Sequence, residues 1–160
     1  MDNLAAILTS QYLASLTMLK EAIIACPDSL WNAPEDRNKF WHVVYHTLFF
    51  THLYAADSAE SFVPWRQHRD GYEEFDGPPD DAPYDKATLL EYLAFCRRHL
   101  PERLPQLDLW AREGHEDRTL LTLERQINSI RHLMQHVGEL LERLGSRTGA
   151  EIEWVASEHA

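Results

Sequence analysis

Residues 38–56 read NKFWHVVYHTLFFTHLYAA and include the most apolar stretch of this 160-residue chain. If these residues form a helix, apolar side chains lie on almost every side of it. A helix without a polar face is normally surrounded by other elements, so these residues predict a central, buried helix. The most apolar part, residues 43–56, is interrupted by four polar side chains and is too short to cross a bilayer.

Three further segments, residues 3–25, 86–99 and 118–144, carry apolar side chains at helical spacing. Together with the central helix they predict an all-α fold, an antiparallel four-helix bundle. All 160 residues are assigned to one domain, whose core extends from about residue 3 to 145. Residues 146–160 are predicted to form a short C-terminal tail.

The fourth predicted helix carries a regular apolar stripe of the kind that packs in bundles. The stripe consists of Leu123, Ile127, Ile130, Met134, Val137, Leu141 and Leu144. Gly145 is expected to end this helix, and Asp85 is expected to cap the start of the third. At about 100° per residue, His132 and His136 point away from the stripe, toward a second groove, a partner subunit or water.

The connection between helices 2 and 3, residues 58–84, combines four prolines and two glycines with several aromatic residues. The aromatic residues are Phe62, Trp65, Tyr72, Phe75 and Tyr84. A disordered linker is poor in aromatic residues, so this long connection is predicted to pack over the body of the domain. Two roles remain open at this point: it roofs a pocket, or its aromatic rings only cover the bundle surface.

The overall charge excludes two classes of partner. With 26 acidic against 15 basic side chains the net charge is −11, which repels nucleic acids and anionic membrane surfaces. The first residues lack the basic start of a secretory signal. Cys26 and Cys96 have no metal-binding or redox spacing and are predicted to be reduced thiols, which indicates a cytoplasmic protein.

Two histidine pairs indicate a possible metal site. His42 and His46 lie four residues apart in the second predicted helix, and His132 and His136 lie four apart in the fourth. Residues at this spacing share one helix face, so each pair can direct two imidazoles at one point. If the two helices pack together, three or four imidazoles can surround one transition-metal ion, and nitrogen ligands suit zinc, nickel or iron(II).

The remaining histidines are assigned no ligand role. His52 falls off the face of the first pair and is interpreted as structural. The isolated residues are expected to be solvated; they are His68, His99, His115 and His159. Glu139 and Asp57 are candidates to orient a ligand imidazole, although both can equally be ordinary surface charges.

The two histidine segments resemble those of DinB-like proteins, a superfamily of metal-binding four-helix bundles that includes bacterial thiol-dependent S-transferases. The matching segments are FWHVVYHTLFF, residues 40–50, and RHLMQHVGEL, residues 131–140. The family pattern is one histidine on the second helix and a His-x-x-x-His pair on the fourth. Carried across, the metal ligands are His46, His132 and His136. His42 is an extra histidine that can be an alternative ligand, a fourth ligand or a group that contacts a ligand.

The resemblance implies a divalent metal ion, usually zinc or nickel, and a homodimer acting on a small-molecule substrate. It further implies transferase chemistry with a low-molecular-weight thiol, or hydrolysis by metal-bound hydroxide. Two alternatives stay open. The chain can be a non-catalytic metal-binding protein with a structural or stress-response role, or a metal-free helical dimer whose histidines only form hydrogen bonds.

Overall fold

The computed structural model describes residues 2–76, 82–112 and 120–159. Within these ranges there are five α-helices, a 3-10 turn at Leu104–Gln106 and no β-strand, so the prediction of an all-α chain is confirmed. The α-helices are α1 (Asp2–Ala25), α2 (Asp28–Trp31), α3 (Phe40–Leu53), α4 (Lys86–Arg103) and α5 (Thr122–Thr148). None of the helices formed by these residues combines the length and apolarity needed to span a membrane.

The four long helices contact one another in a ring. α1 packs against α4 and α5, and α3 packs against the same two helices. Twelve of the 14 side chains of α3 are buried, as its apolar sequence predicted. The largest fully buried side chains include Trp41 and Tyr45 from α3, Tyr12 from α1 and Tyr92 from α4. These rings fill the space between the helices, and the helix predicted to be central is instead one of four in the ring, although most of its side chains are buried.

The antiparallel arrangement predicted for all four helices is not confirmed, because α3 and α4 run in the same direction. Near their N-terminal ends, the rings of Tyr45 and Tyr92 lie 6.0 Å apart. Near their C-terminal ends, the Ala55 carbonyl accepts a hydrogen bond from Arg103 Nε at 3.2 Å. The connection after α3 is long enough to return along the bundle before α4 begins, which removes the constraint that a short loop imposes.

α3 and α5 are antiparallel, as predicted. The Tyr54 carbonyl, just after α3, accepts a hydrogen bond from Gln126 in the first turns of α5 at 2.7 Å. The Asn38 carbonyl, just before α3, accepts one from Arg143 near the end of α5 at 2.7 Å. This pairing sets the middle of α3 opposite the middle of α5, where the two histidine segments lie.

Helix ends differ from the predictions at several places. Of the predicted helix 38–56, α3 covers only Phe40–Leu53. α4 continues through Pro101 to Arg103, and the Asp85 side chain caps its start as expected. α5 begins at Thr122, later than predicted; residues 113–119, which include part of the predicted helix, lie outside the described residues. Gly145 does not end α5. Gly149, at φ 73°, takes the left-handed position, and its N–H bonds to the Gly145 carbonyl.

The buried face of α5 also differs from the predicted stripe. Ile127 is 50% exposed, whereas the polar Gln126 and Ser129 are buried with Leu133 and His136. Gln126 can be buried because its amide accepts a hydrogen bond from the Tyr12 hydroxyl and donates one to the Tyr54 carbonyl. The face centred on Leu133 therefore points into the bundle, and His136 points inward with it.

The aromatic connection packs on the body, as predicted for its described part. The Trp65 ring stacks on Tyr92 with centroids 4.4 Å apart, and the Tyr84 ring stacks on Tyr45 at 4.8 Å. Phe75 reaches the second histidine segment and stacks on His46 at 4.2 Å. Residues 77–81 of the connection lie outside the described residues.

Candidate metal centre

The structure brings His46, His132 and His136 together. His46 comes from the middle of α3, and the other two come from successive turns of α5. The Nε2 atom of His132 lies 3.1 Å from Nε2 of His46 and 3.2 Å from Nε2 of His136. One ligand nitrogen from each of the three lies within 4.8 Å of the other two. Three neutral nitrogen donors at such distances can hold a transition-metal ion.

The tautomers of two of these histidines follow from what lies beside their Nδ1 atoms. The Nδ1 atom of His46 is 2.6 Å from the Glu73 carbonyl oxygen, and that of His136 is 3.2 Å from Glu139 Oε2. Both neighbours are pure acceptors, so each Nδ1 carries the proton and donates it. The neutral ring has one N–H, and therefore the Nε2 atoms of His46 and His136 both present a lone pair.

The two lone pairs face a single partner, which leaves one contact unsatisfied. Nε2 of His132 carries at most one proton when the ring is neutral, so it can donate to only one of the two facing Nε2 atoms. The lone pair of the other Nε2 atom is then left without a donor. A cation between the three nitrogens removes this conflict. Zn–N bonds of about 2.0–2.1 Å in tetrahedral geometry place neighbouring nitrogens about 3.3 Å apart, close to the separations observed.

Burial keeps His46 and His132 neutral at neutral pH. Desolvation lowers the pKa of His46 to about 4, and the Glu73 carbonyl only partly opposes it. Burial likewise lowers the pKa of His132 to about 4, with a smaller contribution from nearby His136. A neutral imidazole is the form that binds a metal.

A chain of polar contacts holds His136 in place. Glu139 accepts from His136 through one carboxylate oxygen, and its other oxygen accepts from Arg143 at 2.7 Å. The Arg143 guanidinium is itself fixed by the Asn38 carbonyl at 2.7 Å and by Asp36 at 3.2 Å. A carboxylate behind a ligand imidazole fixes the ring orientation and increases its basicity.

Removing this carboxylate tests its role. We expect Glu139→Ala to weaken zinc binding by about 10–100-fold, the usual effect of losing such a group behind a ligand histidine. Competition against a chromophoric chelator measures the affinity. Glu142→Ala is the matched control, because Glu142 is an exposed carboxylate on the same helix. Equal zinc affinities in the two variants would show that Glu139 does not support the site.

The other sequence candidates lie elsewhere. Nε2 of His42 donates to the Tyr72 carbonyl at 2.9 Å, and its ring stacks on Trp41, so this geometry does not support a fourth ligand. Of the histidines within the described ranges, only the three above converge on one point. Asp57 pairs with Arg103 at 2.6 Å and does not orient a ligand imidazole.

The isolated histidines are only partly as predicted. His52 is buried beside the Tyr92 hydroxyl, which agrees with a structural role, and His159 is exposed. His68 is not solvated: its Nδ1 accepts from the Tyr45 hydroxyl at 2.6 Å, and its side chain is 14% exposed. His99 is half-buried with its ring stacked on Phe95. His115 lies outside the described residues.

The surroundings of the three histidines are largely apolar. Phe75 stacks on His46 and lies 5.7 Å from the His136 ring, and Phe50 meets His132 edge-on at 5.6 Å. His46 and His136 are 7% and 6% exposed, whereas His132 is half-buried and gives the cluster its access to solvent. The sequence predicted that an aromatic connection packs over the body of the domain. It could not predict the role of the Glu73 carbonyl, because every residue type has a backbone carbonyl.

Similarity to other proteins adds nothing to this geometry. No protein-family model matches the chain, and neither a curated protein nor a solved structure is significantly similar to it. The three converging histidines are therefore the observation on which a functional assignment depends.

Proposed function

We propose that the chain is a DinB-like protein in which His46, His132 and His136 hold one divalent transition-metal ion, zinc or nickel. The supporting observation is the convergence of three imidazole Nε2 atoms, with the Nδ1 atoms of His46 and His136 each facing a hydrogen-bond acceptor. When the rings are neutral, hydrogen bonding leaves one of these Nε2 atoms without a partner, whereas a metal ion can bind all three. Nitrogen donors without a nearby carboxylate ligand favour these metals over calcium or magnesium.

The enzymatic form of the proposal is a thiol-dependent transferase or a hydrolase. A bound ion with three neutral ligands keeps its positive charge and lowers the pKa of a thiol or water at an open position. Within the chain, Glu139 and the Glu73 carbonyl hold two of the imidazoles in orientation. Phe50 and Phe75 pack against the ring of His46 and give the same point an apolar wall. A low-molecular-weight thiol and a small electrophilic substrate complete this proposal.

The family assignment and the homodimer belong to the same proposal. The positions of the three histidines, on α3 and the last long helix, fit the DinB-like pattern. The ring of contacts among four long helices and the long aromatic connection after α3 fit a four-helix bundle of that class. Ile7 on α1 and Ile127 on α5 are each 50% exposed, and a homodimer interface would cover such side chains.

A non-catalytic metal-binding role is the second candidate, and one observation favours it. Phe75 stacks on His46 at 4.2 Å, and His46 and His136 are both buried. A metal held largely by buried side chains can serve stability alone. Turnover of electrophiles by the metal-loaded protein with a panel of thiols separates the two roles.

Metal content is the decisive measurement for the proposed function. We expect protein purified without chelators, or incubated with zinc or nickel and then desalted, to retain one ion per chain by elemental analysis. The double variant His132→Ala, His136→Ala should retain none, because only one ligand remains. His159→Ala, which removes an exposed histidine, should bind metal as the wild type does. A folded wild-type protein that stays metal-free after incubation would refute the proposal.

A further inference from the structure

A cavity lies on the side of α3 away from the histidine cluster. Its volume is about 760 Å³, within the range of small-molecule sites, and it is bounded by the end of α3, by α4 and by the connection between them. His52 lines this cavity, six residues after His46, so the two side chains leave α3 about 120° apart. The cavity is therefore separate from the histidine cluster between α3 and α5.

The walls of the cavity are rich in flat apolar groups. The rings of Phe62 and Phe95 each lie 4.8 Å from the ring of His52, and both meet it edge-on. Trp65 forms another part of the wall and is held by stacking on Tyr92. Rings arranged in this way fit a flat apolar body better than a flexible polar one.

Among the charged side chains that line the cavity, one arginine has no carboxylate partner. Three arginines and two carboxylates line it. Arg66 pairs with Glu91 at 2.8 Å, and Arg103 pairs with Asp57 at 2.6 Å. The guanidinium of Arg98 has no hydrogen-bond or ion-pair partner among the described residues. An excess of positive charge at this place is notable because the chain as a whole has a net charge of −11.

His52 supplies a hydrogen-bond donor at the cavity that has no partner among the described residues. Its side chain is 5% exposed, and its Nδ1 atom lies 3.2 Å from the Tyr92 hydroxyl. Tyr92 is fully buried and has no other hydrogen-bond acceptor within the described part of the chain. Its hydroxyl therefore donates to Nδ1, and the neutral His52 ring carries its proton on Nε2. No described residue accepts that proton, so it is available to an acceptor of a ligand in the cavity.

We propose that this cavity binds a small aromatic carboxylate. The flat body lies among Phe62, Trp65 and Phe95, and the carboxylate accepts hydrogen bonds from Arg98 and from Nε2 of His52. A guanidinium and an N–H donor beside an apolar wall are the groups that recognise such an anion. Binding at this site does not require a metal, so the proposal can be tested independently of the proposed function.

Calorimetric titration with three naphthalene probes of similar shape tests the charge preference. The probes are 2-naphthoate, 2-naphthalenemethanol and 2-naphthylmethylamine, which are anionic, neutral and cationic at neutral pH. We expect the anion to bind about tenfold or more tightly than the neutral alcohol, the effect of a charge-assisted hydrogen bond. The net charge of the protein alone would favour the amine, so the order of the affinities discriminates between a built anion site and non-specific attraction.

Two variants locate the binding. Arg98→Ala should weaken naphthoate binding about tenfold or more, whereas Arg37→Ala removes an exposed arginine outside the cavity and should leave it unchanged. Ala94→Phe fills the cavity from its α4 wall and should abolish binding, with circular dichroism as the check on folding. The metal-site double variant should bind naphthoate normally. Absence of naphthoate binding, equal affinity for the alcohol, or equal behaviour of the Arg98 and Arg37 variants would overturn the proposal.

Discussion

Replacing His132 by alanine should remove metal binding without destabilising the metal-free protein. Nε2 of His132 is the atom that both other imidazoles approach, at 3.1 and 3.2 Å. With His46 and His136 presenting lone pairs from neutral rings, at least one of these contacts is not a hydrogen bond when no ion is bound. His132 is also half-buried, so its truncation leaves little cavity. We therefore expect the metal-free variant to be as stable as the metal-free wild type, or slightly more stable.

The loss of affinity should be large. Structural zinc sites with four ligands contribute about 10–16 kcal/mol, or about 3 kcal/mol for each ligand. Losing one ligand of three should therefore weaken zinc or nickel binding by a factor of about 100 or more. Chemical unfolding with and without added metal measures both effects, because the metal-dependent gain in the free energy of unfolding reports the affinity.

The direction of the stability change in the metal-free His132→Ala variant distinguishes a metal site from a cluster that only forms hydrogen bonds. If the three histidines served only as hydrogen-bond partners, the metal-free His132→Ala variant would be less stable than the wild type. Gln135→Ala is the matched control, since Gln135 is exposed on α5 between the two histidines. It should change neither the metal-free stability nor the gain on adding metal. A stability gain from metal that persists in the His132 variant would contradict the proposed site.

The sequence predicted the three-histidine cluster in two steps of different strength. The spacing of His132 and His136 alone places both rings on one face of α5. The spacing of His42 and His46 is identical, so helical geometry gives no reason to choose between them. The resemblance to DinB-like proteins selected His46. In the structure the choice is made by the connection, because the Tyr72 carbonyl holds His42 while the Glu73 carbonyl orients His46 toward α5.

Some parts of the fold could not be predicted either, because they also depend on contacts between distant segments. The burial of α3 followed from side chains that are apolar on almost all sides. The inward face of α5 did not, because Gln126 and Ser129 are buried through long-range contacts. The direction of α4 was equally open, since a connection of about 30 residues can end at either end of the bundle. Sequence periodicity describes one helix at a time, and these features depend on pairs of helices.

Acid should destabilise the metal-free protein well before its carboxylates titrate, and His46 should be a main cause. Its pKa is lowered by burial to about 4, against 6.5 for an ordinary histidine. The unfolded chain therefore binds more protons between these values, and stability falls as the pH decreases from about 6.5 toward 4. His46 is 7% exposed, so solvent screening is small. Its contribution lost between pH 7.5 and 4.5 is about 2–3 kcal/mol.

The matched variant for this prediction is His46→Gln, whose amide can still donate to the Glu73 carbonyl but takes up no proton in this pH range. Urea unfolding of both metal-free proteins from pH 7.5 to 4.5 should show a shallower loss of stability in the variant. His132, whose pKa is also lowered, and His52 leave a residual slope in both proteins. His159→Gln changes an exposed histidine and should follow the wild type. Identical pH profiles for wild type and His46→Gln would mean that His46 is not held neutral by burial, and the metal site would lose its preformed neutral ligand.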